Sequence, residues 1–324
     1  MTITNNRHFI DNIKVVLIFL VVFGHLIERY IESSNTLMAI YMFIYIFHMP
    51  LFIYISGYLS KNLNKSKKVF LKNLLNPYIL LNIIWYILAY IYTGEVDLPI
   101  IRPGWTLWFL LSLFFWRTTL KYVIKIKYIL PISFIFGILM GFIPNGSILS
   151  FSRTIVFLPF FLLGYYTDIH KIKNLFNKVN FGVCIAGILL FIIISFLISN
   201  KAILNYKFLY GSHSYKELGM NAYIGIICRV LLYISSIILS LFVAYIIPSS
   251  KTFFTHIGKS TMYVYVFHTY TVLLIFYLIP SWNKSILTDF IIISSPVLIT
   301  YILSRKVFEK TYNIVLNPIY KLIK

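Results

Sequence analysis

Carboxylates are almost absent from this chain. Only nine of its 324 residues are Asp or Glu, and in a hydropathy reading none lies mid-span. The buried acid pair that runs proton-coupled transport or glycoside hydrolysis is therefore missing. Cysteine is as scarce: Cys184 and Cys228 are the two in the chain, and both fall in apolar segments, which excludes a disulfide framework and a paired-cysteine metal site. Charged residues make up 12% of the chain against 60% hydrophobic, and mean hydropathy is +0.85. A soluble domain does not have that balance; an all-α, polytopic integral membrane protein does. The formal charge of +20 sits in short basic runs between apolar segments rather than in one patch. This suits loops that set orientation and meet anionic lipid, and argues against nucleic acid as a partner. A convincing internal repeat is also lacking. FHMPLFIYISGYL and FLPFFLLGYY share a Pro, aromatics and a closing Gly-Tyr, but Pro50 to Gly57 and Pro159 to Gly164 differ in spacing.

What is present is a series of long apolar runs. Hydropathy predicts ten spans, near 12–31, 37–59, 70–92, 105–120, 128–143, 153–167, 181–199, 223–247, 261–280 and 286–304. The fifth and sixth are short and read either as full spans or as a re-entrant pair. Counting Lys and Arg on alternate sides gives 21 on the side of the N-terminus and 8 on the other. Both termini are then expected in the cytoplasm. The acidic loop with Glu95 and Asp97 and the longest external loop, Asn200 to Ala222, fall outside. A single transmembrane domain over 1–324 with no appended soluble domain is expected. The first apolar run is too long for a signal-peptide core and lacks a small-x-small cleavage site, so it is expected to be retained.

That first run, DNIKVVLIFLVVFGHLIER from Asp11 to Arg29, carries the strongest functional signal. In a helix the eleven-residue step from Lys14 to His25 closes three turns with about 20° to spare, placing both on one stripe roughly 16 Å apart in depth. Ionisable groups within a span normally face the protein interior or a water-filled cavity, so two on one stripe suggest a site spread across the membrane. Glu28 lies one turn beyond His25 and is positioned to orient the imidazole, with Arg29 beside it; Asp11 lies one turn before Lys14 and is positioned to pair with it. His25 reads equally as a general base or as a neutral histidine satisfied by a neighbouring helix. Taken without further context, Lys14 reads first as a snorkelling lysine at the inner interface.

Two further histidines fall within predicted spans. His48 precedes Pro50, whose ring frees a backbone carbonyl and kinks the helix; His268, in the ninth span, is either a packing residue or part of a site. Trp105 and Trp108 open the fourth span on the outer side, where an aromatic belt and a sugar-stacking surface are both compatible readings. Arg153 at an outer helix end and Arg229 near the outer end of the eighth span are candidates for gripping an anionic group, since Arg seldom sits in hydrocarbon without a partner.

Taken together these stretches resemble the membrane acyltransferase-three family, in particular its branch of fucose 4-O-acetylases and related O-acetyltransferases. Asp11, Lys14 and His25 are similar to the family's D-x-x-[RK]-x10-H arrangement. Phe47 to Leu59 looks like its second-span motif and WTLWFLLSLF at Trp105 to Phe114 its fourth; Arg153 with FLPFFLLGYY and the late IGKSTMYVYVFHTY from Ile257 to Tyr270 complete the set. Lys14 stands where many relatives have Arg, keeping the charge but losing the bidentate fork. The chain stops at Lys324, where some relatives continue into an extracytoplasmic hydrolase-like domain.

The resemblance implies an acyltransferase that moves an acetyl or larger acyl group from cytoplasmic acetyl-CoA, a co-substrate, to a hydroxyl of a surface carbohydrate, with no metal. It implies a catalytic role for His25, with Glu28 holding its tautomer. Donor binding falls to Lys14 and Asp11, aided by the basic run Lys61 to Lys72. His48, Trp105, Trp108, Arg153, Arg229 and His268 are the substrate-binding candidates. The expected partners are acyl-CoA, a carbohydrate acceptor, the lipid bilayer and possible polysaccharide-synthesis machinery. The expected setting is a multi-pass protein of a bacterial plasma membrane, since the abundance of Ile, Lys, Asn, Phe and Tyr fits an AT-rich genome. Two rivals come from other classes: a transporter or flippase for a lipid-linked sugar, with the intramembrane His and Arg lining a pathway, and a non-catalytic membrane subunit of a polysaccharide synthase.

Overall fold

A computed structural model describes residues 3–64, 67–94, 101–201, 203–279 and 286–322. Glu95, Asp97 and Lys284, and Lys65 of the basic run, lie outside the described residues. The described secondary structure is helical. Helix α1 (Ile3–Ile27) runs into a 3-10 turn (Glu28–Ser33) and is followed by α2 (Asn35–Tyr58). Helix α3 (Lys67–Phe70) continues through a π turn (Leu71–Leu75) into α4 (Asn76–Thr93). Then come α5 (Trp108–Val123), α6 (Ile129–Leu139), α7 (Phe151–Tyr166), α8 (Ile169–Phe176), α9 (Phe181–Asn200), α10 (Ala222–Ile246), α11 (Thr261–Leu278), α12 (Ile286–Leu303) and α13 (Lys306–Leu322). Helices are what such runs must form, because a bilayer offers no water to backbone N–H and C=O groups and only intra-segment bonding satisfies them.

Among the described residues, seven helices are long and apolar enough to cross a membrane, or up to eight if Phe290–Leu303 and Lys306–Ile314, bent by 63°, form one broken span. Each predicted span coincides with a helix, but not all reach full length. The shortfall falls on the fourth and fifth spans, and on the tenth unless the bent pair is one span, rather than on the fifth and sixth. Helix α5 has 16 residues because Trp105 sits in a turn with φ 21 and the helix begins at Trp108; α6 has 11, beginning after the left-handed Tyr128. Their lengths are below the ~20 residues that a perpendicular crossing needs. The sixth predicted span, by contrast, is one of the seven as Ile148–Tyr166.

The chain divides into two compact units. The first comprises residues 1–52, 167–205 and 232–313. Its centre is α1, whose Leu17, Ile18, Val22 and Leu26 are fully buried and which packs against α11, α12 and the turn Thr255–Lys259. Asn12 fixes that turn. Its Nδ2 donates to the carbonyls of Pro248 (2.7 Å) and Ser250 (2.9 Å), while its Oδ1 accepts from the hydroxyls of Thr255 (2.6 Å) and Thr252 (3.2 Å). Gly258 lies against the Asp11 backbone, leaving no room for a Cβ. In α2, Pro50 cannot donate to the Ile46 carbonyl, and the Ser236 hydroxyl of α10 does so instead at 2.6 Å. Helix α9 of this unit exposes most of its apolar side chains, Leu189, Leu190 and Ile193 among them, as a lipid-facing helix should.

The second unit comprises residues 53–166, 206–231 and 314–324. Here α5 and α6 both pack on α7. The two Gly-Tyr stretches noted in the sequence meet face to face: a Cβ on Gly57 would fall onto the Phe161 carbonyl, and one on Gly164 onto the Tyr54 carbonyl. Small residues that let backbones touch are a membrane-packing device, since lipid supplies no hydrophobic drive for helix association. Tyr215 fills a slot between Gly141 and Gly225, its hydroxyl donating to Ile138 O at 2.8 Å.

Gly57→Ala and Gly164→Ala should each overpack this crossing, costing about 1–3 kcal/mol, and should lower the thermal transition of the detergent-solubilised protein. Ser236→Ala orphans the Ile46 carbonyl and should cost less, about 0.6–2 kcal/mol. An unchanged transition in both glycine variants would show that the helices do not meet as described.

Candidate functional site: a tethered histidine cluster in the first unit

The candidate residues divide between the units. Asp11, Lys14, His25, Glu28, His48 and His268 belong to the first; Trp105, Trp108, Arg153 and Arg229 belong to the second.

In the first unit, the polar pairs of α1 form along the helix itself. Lys14 Nζ lies 2.9 Å from Asp11 Oδ1, both mostly buried. His25 Nδ1 lies 3.0 Å from Glu28 Oε2, and its side chain is 13% exposed against 24% for Glu28. A carboxylate only accepts, so Nδ1 carries a proton in this contact. Tyr45 approaches the same Nδ1 through its hydroxyl at 3.4 Å. Gly24 makes this approach possible, because a Cβ there would crowd the Tyr45 ring at 3.0 Å.

Two more imidazoles stand close by. The His268 ring centroid is 5.5 Å from that of His25, and the His48 ring is 4.7 Å from that of Tyr45. Both are buried, and both are tethered through Nδ1. His48 donates to Ile44 O at 2.8 Å, one turn back, and His268 donates to Tyr265 O at 2.6 Å. Each therefore holds the Nδ1–H tautomer, and Nε2 of His268 is a buried acceptor without a hydrogen-bond partner among the described residues. The arrangement sets a partly buried imidazole inside an apolar helix, with a carboxylate behind it. Among the described residues, no group of three or more His, Cys, Asp or Glu is placed to hold a metal ion.

In the second unit, Trp105 lies in the turn before α5 with its ring 6.0 Å from Trp85, and Trp85 covers Gly104. Trp108 is buried, stacked on Phe157 at 5.4 Å, and the Arg153 guanidinium lies 5.1 Å from its ring. Arg153 also approaches Tyr210 at 6.0 Å and donates to Ser212 Oγ at 3.4 Å. Arg229 is 1% exposed; its guanidinium sits 4.3 Å over the Phe208 ring and donates to the Tyr215 hydroxyl. The structure thus brings Trp108 to Arg153, and seats Arg229 against Phe208 and Tyr215.

The loop that carries Tyr210 and Ser212 is tied by Glu217. Its carboxylate accepts from Ser214 N at 2.7 Å and from Asn145 N at 3.3 Å, and the Ser214 N–H above all holds its pKa below the usual carboxylate value. Burial, and then Arg153, hold the His213 imidazole below its ordinary 6.5.

Sequence reasoning missed Asn12, Tyr45 and Ser236. Tyr45 had a signal in its spacing, three residues before His48. Asn12 had only its polarity inside an apolar run, and Ser236 had none.

These features define a class before they define a family: a multi-pass helical membrane protein with a carboxylate-backed histidine inside its first helix. Residues 7–305 match the family described as an acyltransferase domain, and the chain belongs to that membrane acyltransferase-three family. Over 61 residues, 18% of this chain, it is 48% identical to nodulation protein NolL of Mesorhizobium japonicum. The match covers 16% of that relative's length. No solved structure matches the chain.

Asn12→Asp would set a carboxylate against two carbonyls and remove both donors. It should destabilise the first unit by about 1–3 kcal/mol for each orphaned group, read as a lowered thermal transition; an unaltered one would dismiss the clamp. For the second unit the pH dependence has a definite sign. A histidine whose folded pKa lies below 6.5 stabilises fully above that value and loses its contribution as pH falls, and Glu217, held below 4.5, adds to the loss in more acid solution. Proteolytic cleavage within residues 206–221 should be faster at about pH 5 than at about pH 7. Equal rates would remove His213 from the loop's stability.

Proposed function

We propose that the protein is a membrane O-acyltransferase that moves an acetyl group from cytoplasmic acetyl-CoA to a hydroxyl of a cell-envelope carbohydrate, in a bacterial plasma membrane crossed ten times with both termini inside. Family membership supports acyl transfer. The observation that carries the mechanism is the 3.0 Å contact between His25 Nδ1 and Glu28, which backs the imidazole with a carboxylate and orients it as a general base.

In this reading His25 Nε2 removes the acceptor's hydroxyl proton as the oxygen attacks the thioester carbonyl. The new C–O bond forms, local donors stabilise the tetrahedral oxyanion, the C–S bond breaks, and the thiolate leaves with the proton that His25 held. Glu28 holds the tautomer and offsets the imidazolium charge. Transfer through an acetyl-histidine is a variant of the same chemistry. Lys14, about 16 Å along the helix from His25, meets the donor's phosphates; Asp11 keeps its ammonium placed until then. Within the first unit, His48 and His268 frame the base.

Release of free CoA from acetyl-CoA, measured on purified protein with a panel of envelope glycans, tests this directly. His25→Ala should lose a factor of about 10²–10⁴ in turnover. Glu28→Gln should lose less, and Lys14→Ala should mainly raise the KM for acetyl-CoA. If all three fold stably and turn over like wild type, His25 is a structural histidine and the acyl-transfer mechanism fails.

A further inference from the structure

A cleft of about 220 Å³ opens in the second unit beside the C-terminal half of α5. Its polar wall is Ser60, Asn62, Asn64, Arg117, Thr118 and Lys121, and Phe70 belongs to its apolar floor. The lining holds two cations and no carboxylate. Arg117 is fixed in orientation: its Nε donates to Ser60 Oγ at 3.1 Å, and Ser60 gives its own proton to Ser56 O at 2.6 Å. That uses one of the five N–H groups of a guanidinium. The four on Nη1 and Nη2 make no hydrogen bond among the described residues.

The neighbouring groups complete a donor-rich site. Asn62 accepts the Asn64 N–H through Oδ1 at 3.1 Å, which leaves its amide N–H groups as donors. Thr118 directs its proton to Phe114 O at 2.8 Å and so adds no donor. Lys121 adds an ammonium at the exposed edge. A guanidinium locked through Nε presents its two terminal nitrogens as a planar fork, the geometry that takes two oxygens of a phosphate at once. Further donors around it suit a group with three free oxygens better than a carboxylate with two. The volume is below the ~300–1,000 Å³ of pockets that enclose a whole small molecule, so the cleft suits one end of a ligand.

We propose that this cleft is a phosphate-ester site, in which Arg117 braced by Ser60 grips the phosphate and Lys121 balances the remaining charge, with the adjoining part of the ligand resting on the apolar floor. Two sources carry that chemistry: the nucleotide end of an acyl-CoA, in which case the site deepens the acyl-transfer reading and rests on it, and the headgroup of an anionic phospholipid.

The test uses the full chain in nanodiscs. In phosphatidylcholine discs, CoA binding is titrated by calorimetry for wild type, Arg117→Gln, Arg117→Lys and Lys121→Gln; in a parallel arm, retention of phosphatidylglycerol is read by native mass spectrometry. Arg117→Gln should weaken one of the two probes at least tenfold. Arg117→Lys should recover part of the loss, because it restores the charge without the fork, and Lys121→Gln should weaken the same probe less. Loss of CoA binding names the nucleotide; loss of phosphatidylglycerol names the lipid. Wild type binding neither probe overturns the site, as does a folded Arg117→Gln that binds both like wild type. If Arg117→Gln does not fold, Lys121→Gln decides: weaker binding supports the site and unchanged binding overturns it. CoA release on the same preparations separates this proposal from the catalytic one. Turnover abolished by His25→Ala, with both probes bound alike by wild type and Arg117→Gln, removes the cleft alone, whereas phosphate binding that depends on Arg117 in a protein without turnover removes the acyl-transfer reading alone.

Discussion

A charge inside an apolar helix has to be answered close at hand, and on α1 it is answered within one turn of the same helix. Asp11 meets Lys14 and Glu28 meets His25, each three residues apart. Removing either partner would leave a mostly buried ionisable group without its counter-charge in a low-dielectric setting, where the cost is several times that at a surface. Because the pairs are local, they form with the helix and need no particular arrangement of the rest of the chain. The surrounding helices then have a simpler task, which is to close around a stripe that already carries its counter-charges.

That closing relies on backbone contacts more than on hydrophobic drive. Asn12 draws the segment from Pro248 to Thr255 onto α1 with four hydrogen bonds, and Gly258 lies flat on the Asp11 backbone. These contacts give the late IGKST stretch a physical reason for its small residue: it is a seat for the start of α1. Gly57 and Gly164 play the same part in the second unit, one glycine from each of the two Gly-Tyr stretches, each pressed on a carbonyl of the other helix. What looked in the sequence like an imperfect repeat is a pair of mutually complementary surfaces.

The proline in α2 shows how a helix break is tolerated in such a setting. Pro50 leaves the Ile46 carbonyl unpaired, and a serine from α10 supplies the missing donor. The kink therefore costs little backbone bonding, while His48, two residues before the proline, stays tied to its own helix through Ile44 and presents its ring beside Tyr45.

The helical segments, the alignment of Lys14 with His25 and the two pairings along α1 were legible from hydropathy and from the 3.6-residue period, because both are properties of a single helix. Short elements were less legible. Hydropathy saw apolar residues from 105 onward but not the positive φ of Trp105 that delays α5, since that turn depends on Asn82 accepting the Gly104 N–H and on Trp85 covering the glycine. The tautomers of His48 and His268, the fork of Arg117 and the aromatic seat of Arg229 were likewise beyond reach, each depending on where a residue from another part of the chain comes to lie. By itself the sequence determined a helical membrane protein with a carboxylate-backed histidine in its first span, because local spacing and the absence of water in a bilayer leave little choice. Only the tertiary structure decided which polar groups are satisfied by neighbours and which keep an open donor or acceptor, because that depends on contacts between residues as far apart as Asn12 and Thr255.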